Sequence, residues 1–241
     1  MRPIIGITCP WSEETWGPEE TNRGYDYAGR DYQAAVYNAG GLPMLIPSIA
    51  AEDELESCAE QFLQTVDGLY FTGGGGRKRN RKISEIPTLY NQQPLRSRWE
   101  DVLLKKAYEQ DIPCIGACRG YQMMAVAFGG AMDTVRLPEH RQDIPYHIGI
   151  HKVTPSALLA ETVGDEPWLV NSIHVERVDV VPEGFTVAAR AEDGSIEAIS
   201  ATNRSFFLGT QFHPELMPED PRSKVLFRRF MEAAARRHSS R

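Results

Sequence analysis

The sequence has no apolar run that approaches the roughly 18 to 20 residues of a membrane-spanning helix. It also has no long apolar region followed by a small-residue cleavage site near residue 1, as a secretory signal would. A basic excess is missing too, because 26 Lys and Arg stand against 33 Asp and Glu, a net charge of −7. These absences predict a cytoplasmic protein whose partner is neither a nucleic acid nor a membrane.

Cysteine is scarce, and the common metal-binding patterns are missing. The four cysteines are Cys9, Cys58, Cys114 and Cys118. They are too few and too unevenly spaced for a disulfide framework, and none forms a CxxC pair suited to zinc. His147 and His151 have helical spacing, but the residues between them favour a strand and lack the Glu of a zinc protease. The sequence therefore predicts free thiols, no metal site and no cofactor.

The first half of the sequence alternates short apolar runs with amphipathic ones, a pattern typical of βαβ units. Predicted strands cover residues 4–9, 42–46, 68–71 and 112–117, and predicted helices cover 31–38, 52–64, 97–110 and a segment from about 119. After residue 130 the pattern is β-rich until a last helix over 221–237. We expect an α/β fold with a mostly parallel sheet, helices on both faces and a β-rich C-terminal half. No repeat or linker divides residues 1–241, which predicts one domain.

A cysteine stands between two glycines where a predicted strand meets a predicted helix. Gly116, Cys118 and Gly120 have the layout of a nucleophile elbow with Cys in place of Ser. Small neighbours let the strand and helix approach closely, and the unpaired N–H groups of a helix N-terminus favour a thiolate. This pattern predicts Cys118 as a nucleophile, the alternative being a buried structural cysteine, which is our interpretation of Cys114.

A histidine and a glutamate follow a predicted strand near the C-terminus, in the sequence Gln-Phe-His-Pro-Glu. A spacing of two in extended backbone points the side chains of His213 and Glu215 to one side, so that the carboxylate can orient the imidazole. Together with Cys118 they would form a catalytic triad, although this short pattern alone also fits a surface loop.

An acyl-transfer site also needs N–H donors for the oxyanion of its tetrahedral intermediate. One candidate is the backbone N–H of Arg119, the residue after the nucleophile. The other lies in the glycine run that begins with Gly73 and Gly74, after a predicted strand. A glycine run can instead hold phosphate, but this one lacks the Gly-Lys-Ser/Thr ending of a P-loop.

Two blocks of sequence, residues 116–122 and 211–215, together resemble the class I glutamine amidotransferases. More narrowly, the chain resembles the gamma-glutamyl-gamma-aminobutyrate hydrolase branch of that family, a set of free-standing amidases. The narrower likeness rests on blocks at 40–43, 67–74, 139–141, 170–174 and 197–199. The resemblance thus covers nearly the whole chain.

The resemblance implies a flavodoxin-like domain that cleaves γ-glutamyl amides to glutamate and a free amine through a cysteinyl thioester. In this family the positions of Cys118, His213 and Glu215 are the triad. The family also implies that the glutamyl pocket is lined by Arg119, Gln122, Asn171, Ser172 and His174. For His174 the alternative is a core histidine on a strand. The expected partner is a small γ-glutamyl substrate, and a homodimer is a further expectation.

Two departures from the family pattern concern the leaving-group side of the site. A basic segment, 77–82, follows the glycine run, and Glu176 adds a carboxylate near the expected pocket that suits an amine-bearing leaving group. Two other functions stay open from the sequence. One is a glutaminase subunit that delivers ammonia to a separate synthetase, and the other is a catalytically silent binding protein on the same fold.

Overall fold

The computed structural model describes residues 1–15, 22–49, 52–74, 88–89 and 93–240. Its strands are β1 Ile4–Thr8, β2 Trp11–Thr15, β3 Asn22–Asp26, β4 Leu42–Ile46, β5 Gly68–Phe71, β6 Cys114–Ala117, β7 Ala131–Met132, β8 His151–Pro155, β9 Trp168–Val170, β10 Val178–Val180, β11 Phe185–Ala191, β12 Ile196–Ala201 and β13 Phe207–Thr210. Its α-helices are α1 Arg30–Asn38, α2 Leu55–Thr65, α3 Pro94–Glu109, α4 Arg119–Ala127, α5 Ala157–Val163 and α6 Pro221–Ser240.

Within the described ranges, eleven strands form one sheet, in which nine follow the order β4-β1-β5-β6-β13-β12-β11-β8-β9. The first five of these strands are parallel to one another. The sheet then continues with β12, β11, β8 and β9, each antiparallel to the strand before it. The short strand β10 pairs with β12 and β7. Strands β2 and β3 pair with each other in a separate two-stranded sheet.

Helices cover both faces of this sheet because successive strand residues point to opposite sides. Ile115 and Ala117 of β6 pack in one apolar cluster with residues of α1, α5 and α6. Cys114 of the same strand packs in a second cluster with residues of α2, α3 and α4. The predicted α/β fold is confirmed, and the sheet is mixed because the β-rich half joins it in antiparallel fashion. Cys114 is fully buried, in keeping with a core cysteine.

The long C-terminal helix begins as the sequence predicts. Asp220 accepts hydrogen bonds from the backbone N–H groups of Arg222 and Ser223, at 2.8 and 2.9 Å, and so acts as the N-cap of α6. Among the helices of the described residues, none is long and apolar enough to cross a membrane.

Candidate active site

Three neighbouring parallel strands end at the same edge of the sheet, and the sequence continues from each into a predicted site residue. Gly73 follows β5, Cys118 follows β6, and His213 follows β13. Because β5 pairs with β6 and β6 pairs with β13, their carboxyl ends lie side by side. Ligands of open α/β sheets bind at this edge. The fold thereby brings together residues that are far apart in the sequence.

Cys118 occupies a strained turn between β6 and α4. Its backbone has φ of 50° and ψ of −106°, in the left-handed half of the map that a residue with a Cβ rarely adopts. The turn is crowded, since a Cβ at Gly116 would lie 2.8 Å from the carbonyl carbon of Gly120, and a Cβ at Gly120 would clash with Phe71. Both glycines are therefore required for the close strand-to-helix approach, and the thiol of Cys118 is half-buried.

The imidazole of His213 lies between a carboxylate and the thiol. Its Nδ1 is 2.6 Å from Oε1 of Glu215, and Cys118 lies close enough to the ring to raise its pKa. A carboxylate accepts hydrogen bonds, so Nδ1 carries a proton towards Glu215 and Nε2 is left for the thiol. Burial acts to lower the pKa of His213, but the negative charge of Glu215 and the contact with Cys118 outweigh it and raise the pKa well above its ordinary value. This arrangement favours an imidazolium at neutral pH.

Two tyrosines lie at the pair of His213 and Glu215. The hydroxyl of Tyr70 donates to Oε2 of Glu215 at 2.8 Å, and the hydroxyl of Tyr32 lies 3.5 Å from Nδ1 of His213. Burial, followed by the charge of Glu215, raises the pKa of both tyrosines well above its ordinary value, so both stay protonated donors. Neither Tyr32 nor Tyr70 was expected in the site from the sequence, because no local pattern marks them.

Asn171, expected in the glutamyl pocket, holds the backbone of His213. Its Oδ1 accepts the N–H of His213 at 2.8 Å, and its Nδ2 donates to the carbonyl of His213 at 2.9 Å. This two-point contact fixes the backbone from which the imidazole projects. Asn171 is fully buried, so the structure gives it a positioning role.

Gly73, expected as an oxyanion donor, lies against the ring of His213. Its N–H donates to the hydroxyl of Tyr32 at 2.9 Å, so this donor already has a partner and reaches an oxyanion only if that hydroxyl moves. Gly74 is exposed, while Gly75 and the basic segment 77–82 lie outside the described residues. The backbone N–H of Arg119 starts helix α4 directly after Cys118, where the predicted oxyanion donor should be.

We expect Gly73→Ala to lower kcat by roughly 10²-fold with little change in KM, since small misplacements of catalytic groups cost this much. A methyl group at this position would lie 2.8 Å from Cε1 of His213 and 2.8 Å from the hydroxyl of Tyr32. Gly24→Ala is the matched control, because a Cβ there meets nothing within 4 Å. Steady-state kinetics of both variants test this, and an unchanged kcat in Gly73→Ala would contradict the close packing.

The side chain of Arg119 does not line an open pocket. Its guanidinium is buried, in an ion pair with Glu100 and in a 2.8 Å hydrogen bond to Ser97. Arg96 joins the same network through Glu100 and donates to the carbonyl of Gly73 at 3.0 Å. The network thus fixes the glycine turn beside His213, and the guanidinium of Arg119, expected in the pocket, has its partners within this network.

This network also corrects a helix boundary. The spacing of Ser97 and Glu100 is that of a capping box and predicts a helix that starts at Ser97, but α3 begins at Pro94. Proline suits the first helical turn, since its fixed φ matches the helix and its missing N–H is not needed there. Ser97 and Glu100 instead face the buried arginines.

The remaining predicted pocket residues have separate partners. Gln122 donates to the side chain of Gln211 at 3.1 Å and to the carbonyl of Glu176 at 3.3 Å. The hydroxyl of Ser172 donates to the carbonyl of His140 at 2.6 Å, and the ring of His174 faces that of His140. Glu176 accepts the N–H of Leu89 at 3.1 Å. Ser172 and His174 therefore belong to a second buried cluster behind the triad.

Comparisons with known proteins give one family match and several related sequences. Residues 3–215 match the model of the Peptidase C26 family. The chain is 34% identical over 219 residues to the gamma-glutamyl-gamma-aminobutyrate hydrolase of Escherichia coli K12, covering 84% of each chain. It is 31% identical over 247 residues to a "putative glutamine amidotransferase" of Mycobacterium tuberculosis, covering 97% of this chain and 75% of that protein.

A solved structure supports the fold. The crystal structure of a "putative GMP synthase" chain from Thermoplasma acidophilum matches with a TM-score of 0.65 and 18% identity. The match covers 100% of this chain and 98% of that one. At this identity the likeness concerns the fold alone.

Proposed function

The chain belongs to the Peptidase C26 family of class I glutamine amidotransferase-like proteins, and from this premise we propose that it hydrolyses the amide bond of γ-glutamyl amines, such as γ-glutamyl-γ-aminobutyrate. The products are glutamate and the free amine. The observation that carries the proposal is that Cys118 lies close to the ring of His213, which is hydrogen-bonded to Glu215, at the carboxyl edge of the sheet. The relatives named as hydrolases of this kind support the substrate class.

In the first half of the proposed reaction, the thiolate of Cys118 attacks the γ-carbonyl carbon of the substrate. A carbon–sulfur bond forms and the carbonyl oxygen becomes an oxyanion, which the N–H of Arg119 is placed to stabilise. The carbon–nitrogen bond then breaks while the imidazolium of His213 gives its Nε2 proton to the departing amine. The raised pKa of His213 supports this role as the acid.

In the second half, water replaces the amine at the same carbon. The neutral imidazole of His213 takes a proton from the water, which attacks the γ-glutamyl thioester. Breakage of the carbon–sulfur bond releases glutamate and restores the thiolate beside a protonated ring. Glu215, which accepts a hydrogen bond from Tyr70, stabilises the positive charge on the ring in both halves.

A panel of substrates tests this proposal. We expect the purified chain to release glutamate from γ-glutamyl-γ-aminobutyrate and γ-glutamylated polyamines with a kcat/KM at least about 10-fold above that for glutamine. α-Glutamyl-γ-aminobutyrate is the matched control, because its scissile carbonyl is the α rather than the γ one. Release from the α-linked control at an equal rate would contradict γ-glutamyl specificity. Activity on glutamine alone, appearing only with a synthetase chain present, would favour the ammonia-delivering subunit.

A further inference from the structure

Four titratable side chains that the proposed chemistry does not use converge on one buried point behind the triad. They are His140 at the end of the short turn Pro138–His140, His151 on β8, His174 after β9, and Glu197 on β12. The side chain of Glu197 is fully buried, those of His140 and His174 are nearly so, and that of His151 is 20% exposed. Such a group of ionisable residues in the interior calls for a binding partner.

The ring nitrogens and carboxylate oxygens of this cluster are closely spaced. Nδ1 of His140 lies 3.3 Å from Nε2 of His174 and 3.6 Å from Oε1 of Glu197. Nε2 of His174 lies 3.5 Å from the same oxygen, and Nε2 of His151 lies 3.7 Å from Oε2. One ligand atom from each of His140, His151 and Glu197 lies within 4.8 Å of the other two.

Two of the histidine rings have one nitrogen that points out of the cluster and one that points into it. The hydrogen bond of the outer nitrogen determines whether the inner nitrogen carries a hydrogen or a lone pair. Nε2 of His140 is 3.0 Å from Oδ2 of Asp193, and Nδ1 of His174 is 3.0 Å from the carbonyl oxygen of Glu176. Those oxygens accept, so each outer nitrogen carries a hydrogen. When the rings are neutral, the inner nitrogens point lone pairs at each other and at a carboxylate, which is repulsive unless a proton or a metal ion lies between them.

Two atoms of the cluster also lack a hydrogen-bond partner among the described residues. They are Nε2 of His151 and Oε2 of Glu197, which are both buried and face each other across 3.7 Å. A buried carboxylate oxygen without a partner is costly and rare in native proteins. These orphaned atoms are a second, independent sign that the cluster accommodates a bound ion.

We propose that His140, His151 and Glu197 bind one zinc ion, with His174 packed beside them. Zinc prefers four nitrogen or oxygen ligands in a tetrahedron at about 2.0 to 2.2 Å, which separates the ligand atoms by about 3.3 to 3.6 Å. The ligand atoms of the three side chains lie within 4.8 Å of one another, so they would move inwards when the ion binds. The outer contact of His140 to Asp193 is one that zinc-binding histidines normally make.

Two histidines and one glutamate leave the fourth position of the tetrahedron for a water molecule, and the site is structural because it lies behind the triad rather than beside Cys118. It joins β8 and β12 to the turn Pro138–His140. The carbonyl of His140 accepts the hydroxyl of Ser172, next to the Asn171 that holds the backbone of His213. Zinc would thus stabilise the support of His213 from behind. The sequence predicted no metal site because these three ligands are spread over 58 positions, from 140 to 197, and the local pair of His147 and His151 shares no site, His147 being exposed.

The test measures zinc binding to the full chain with Cys118→Ala, so that the catalytic thiol cannot act as a ligand. We expect one zinc per chain, a thermal unfolding midpoint that rises with zinc concentration, and a cobalt complex with the intense visible absorption of four-coordination and no sulfur-to-cobalt band. Absence of stoichiometric binding at micromolar zinc, or an unchanged midpoint, would overturn the proposal. Neither readout depends on activity or on the proposed substrate.

Two further variants locate the ion. His151→Ala, in the same background, should weaken zinc binding at least about 100-fold, since even outer partners of metal ligands matter 10- to 100-fold. His147→Ala is the matched control, since His147 lies only four residues from His151. This variant should bind zinc with unchanged affinity, because His147 is exposed and lies outside the cluster. Equal binding by both variants would place the ion elsewhere and refute the site. Circular dichroism verifies that each variant is folded.

Discussion

Cys118→Ala is expected to lower glutamate release by a factor on the order of 10⁴ or more, since the loss of a nucleophile removes the covalent route altogether. The fold should remain intact. Alanine keeps the Cβ that cysteine already places at a φ of 50°, so the strain of the turn is unchanged. The change removes only a half-buried sulfur that contacts His213.

The measurement is steady-state release of glutamate, together with the midpoint of thermal unfolding. Cys58→Ala is the matched control, because Cys58 is also a half-buried free thiol but lies on α2, outside the site. Mass spectrometry of rapidly quenched enzyme should show a γ-glutamyl adduct on the parent chain and none on Cys118→Ala. Near-normal turnover by Cys118→Ala would refute the proposed mechanism as a whole.

Glu215→Gln is expected to move the alkaline limb of the activity profile to lower pH. The acid in the first half-reaction is imidazolium, so kcat/KM falls as pH rises through the pKa of His213. Burial lowers that pKa while the charge of Glu215 is the largest cause that raises it. Removing the charge therefore lowers the pKa, and the enzyme loses its acid at a lower pH than the parent does.

The size of the rate loss in variants of His213 and Glu215 distinguishes proton transfer from orientation of the ring. His213→Ala removes both proton transfers and should lower kcat on the order of 10⁴-fold, while Glu215→Gln should cost less, since orientation is a smaller task than proton transfer. Glu219→Gln is the matched control, because this carboxylate is exposed and contacts only Lys224 among the described residues. An unmoved alkaline limb in Glu215→Gln, or a greater loss than in His213→Ala, would reverse the role assignment.

Some features of the fold were predictable because they arise from neighbours in the chain. The strands at 42–46 and 68–71 have the predicted bounds, since each is a short apolar run closed by glycine or proline. Helix α3 was predicted three residues late, because Ser97 and Glu100 satisfy a capping pattern that the fold uses for another purpose. Local patterns of this kind cannot distinguish a cap from a side chain reserved for a distant partner.

The supporting residues of the site could not be predicted in this way. Tyr70 and Glu215 are 145 positions apart, and Asn171 lies 42 positions from His213. Contacts at such separations depend on which strands become neighbours in the sheet, and no periodicity in the sequence states this. The same applies to the cluster of His140, His151, His174 and Glu197, whose members come from a short turn, strands β8 and β12, and the loop after β9.

By itself, the sequence determined the α/β alternation, the glycine-flanked elbow at Cys118 and the pairing of His213 with Glu215, because each is written in adjacent residues whose backbone geometry follows from their chemistry. The tertiary structure alone decided that β5, β6 and β13 are neighbours, so that thiol and imidazole meet. It also decided that the side chain of Arg119 forms a buried ion pair with Glu100. The physical reason is that burial and long-range pairing, rather than residue type, decide whether a polar side chain binds substrate or supports the site.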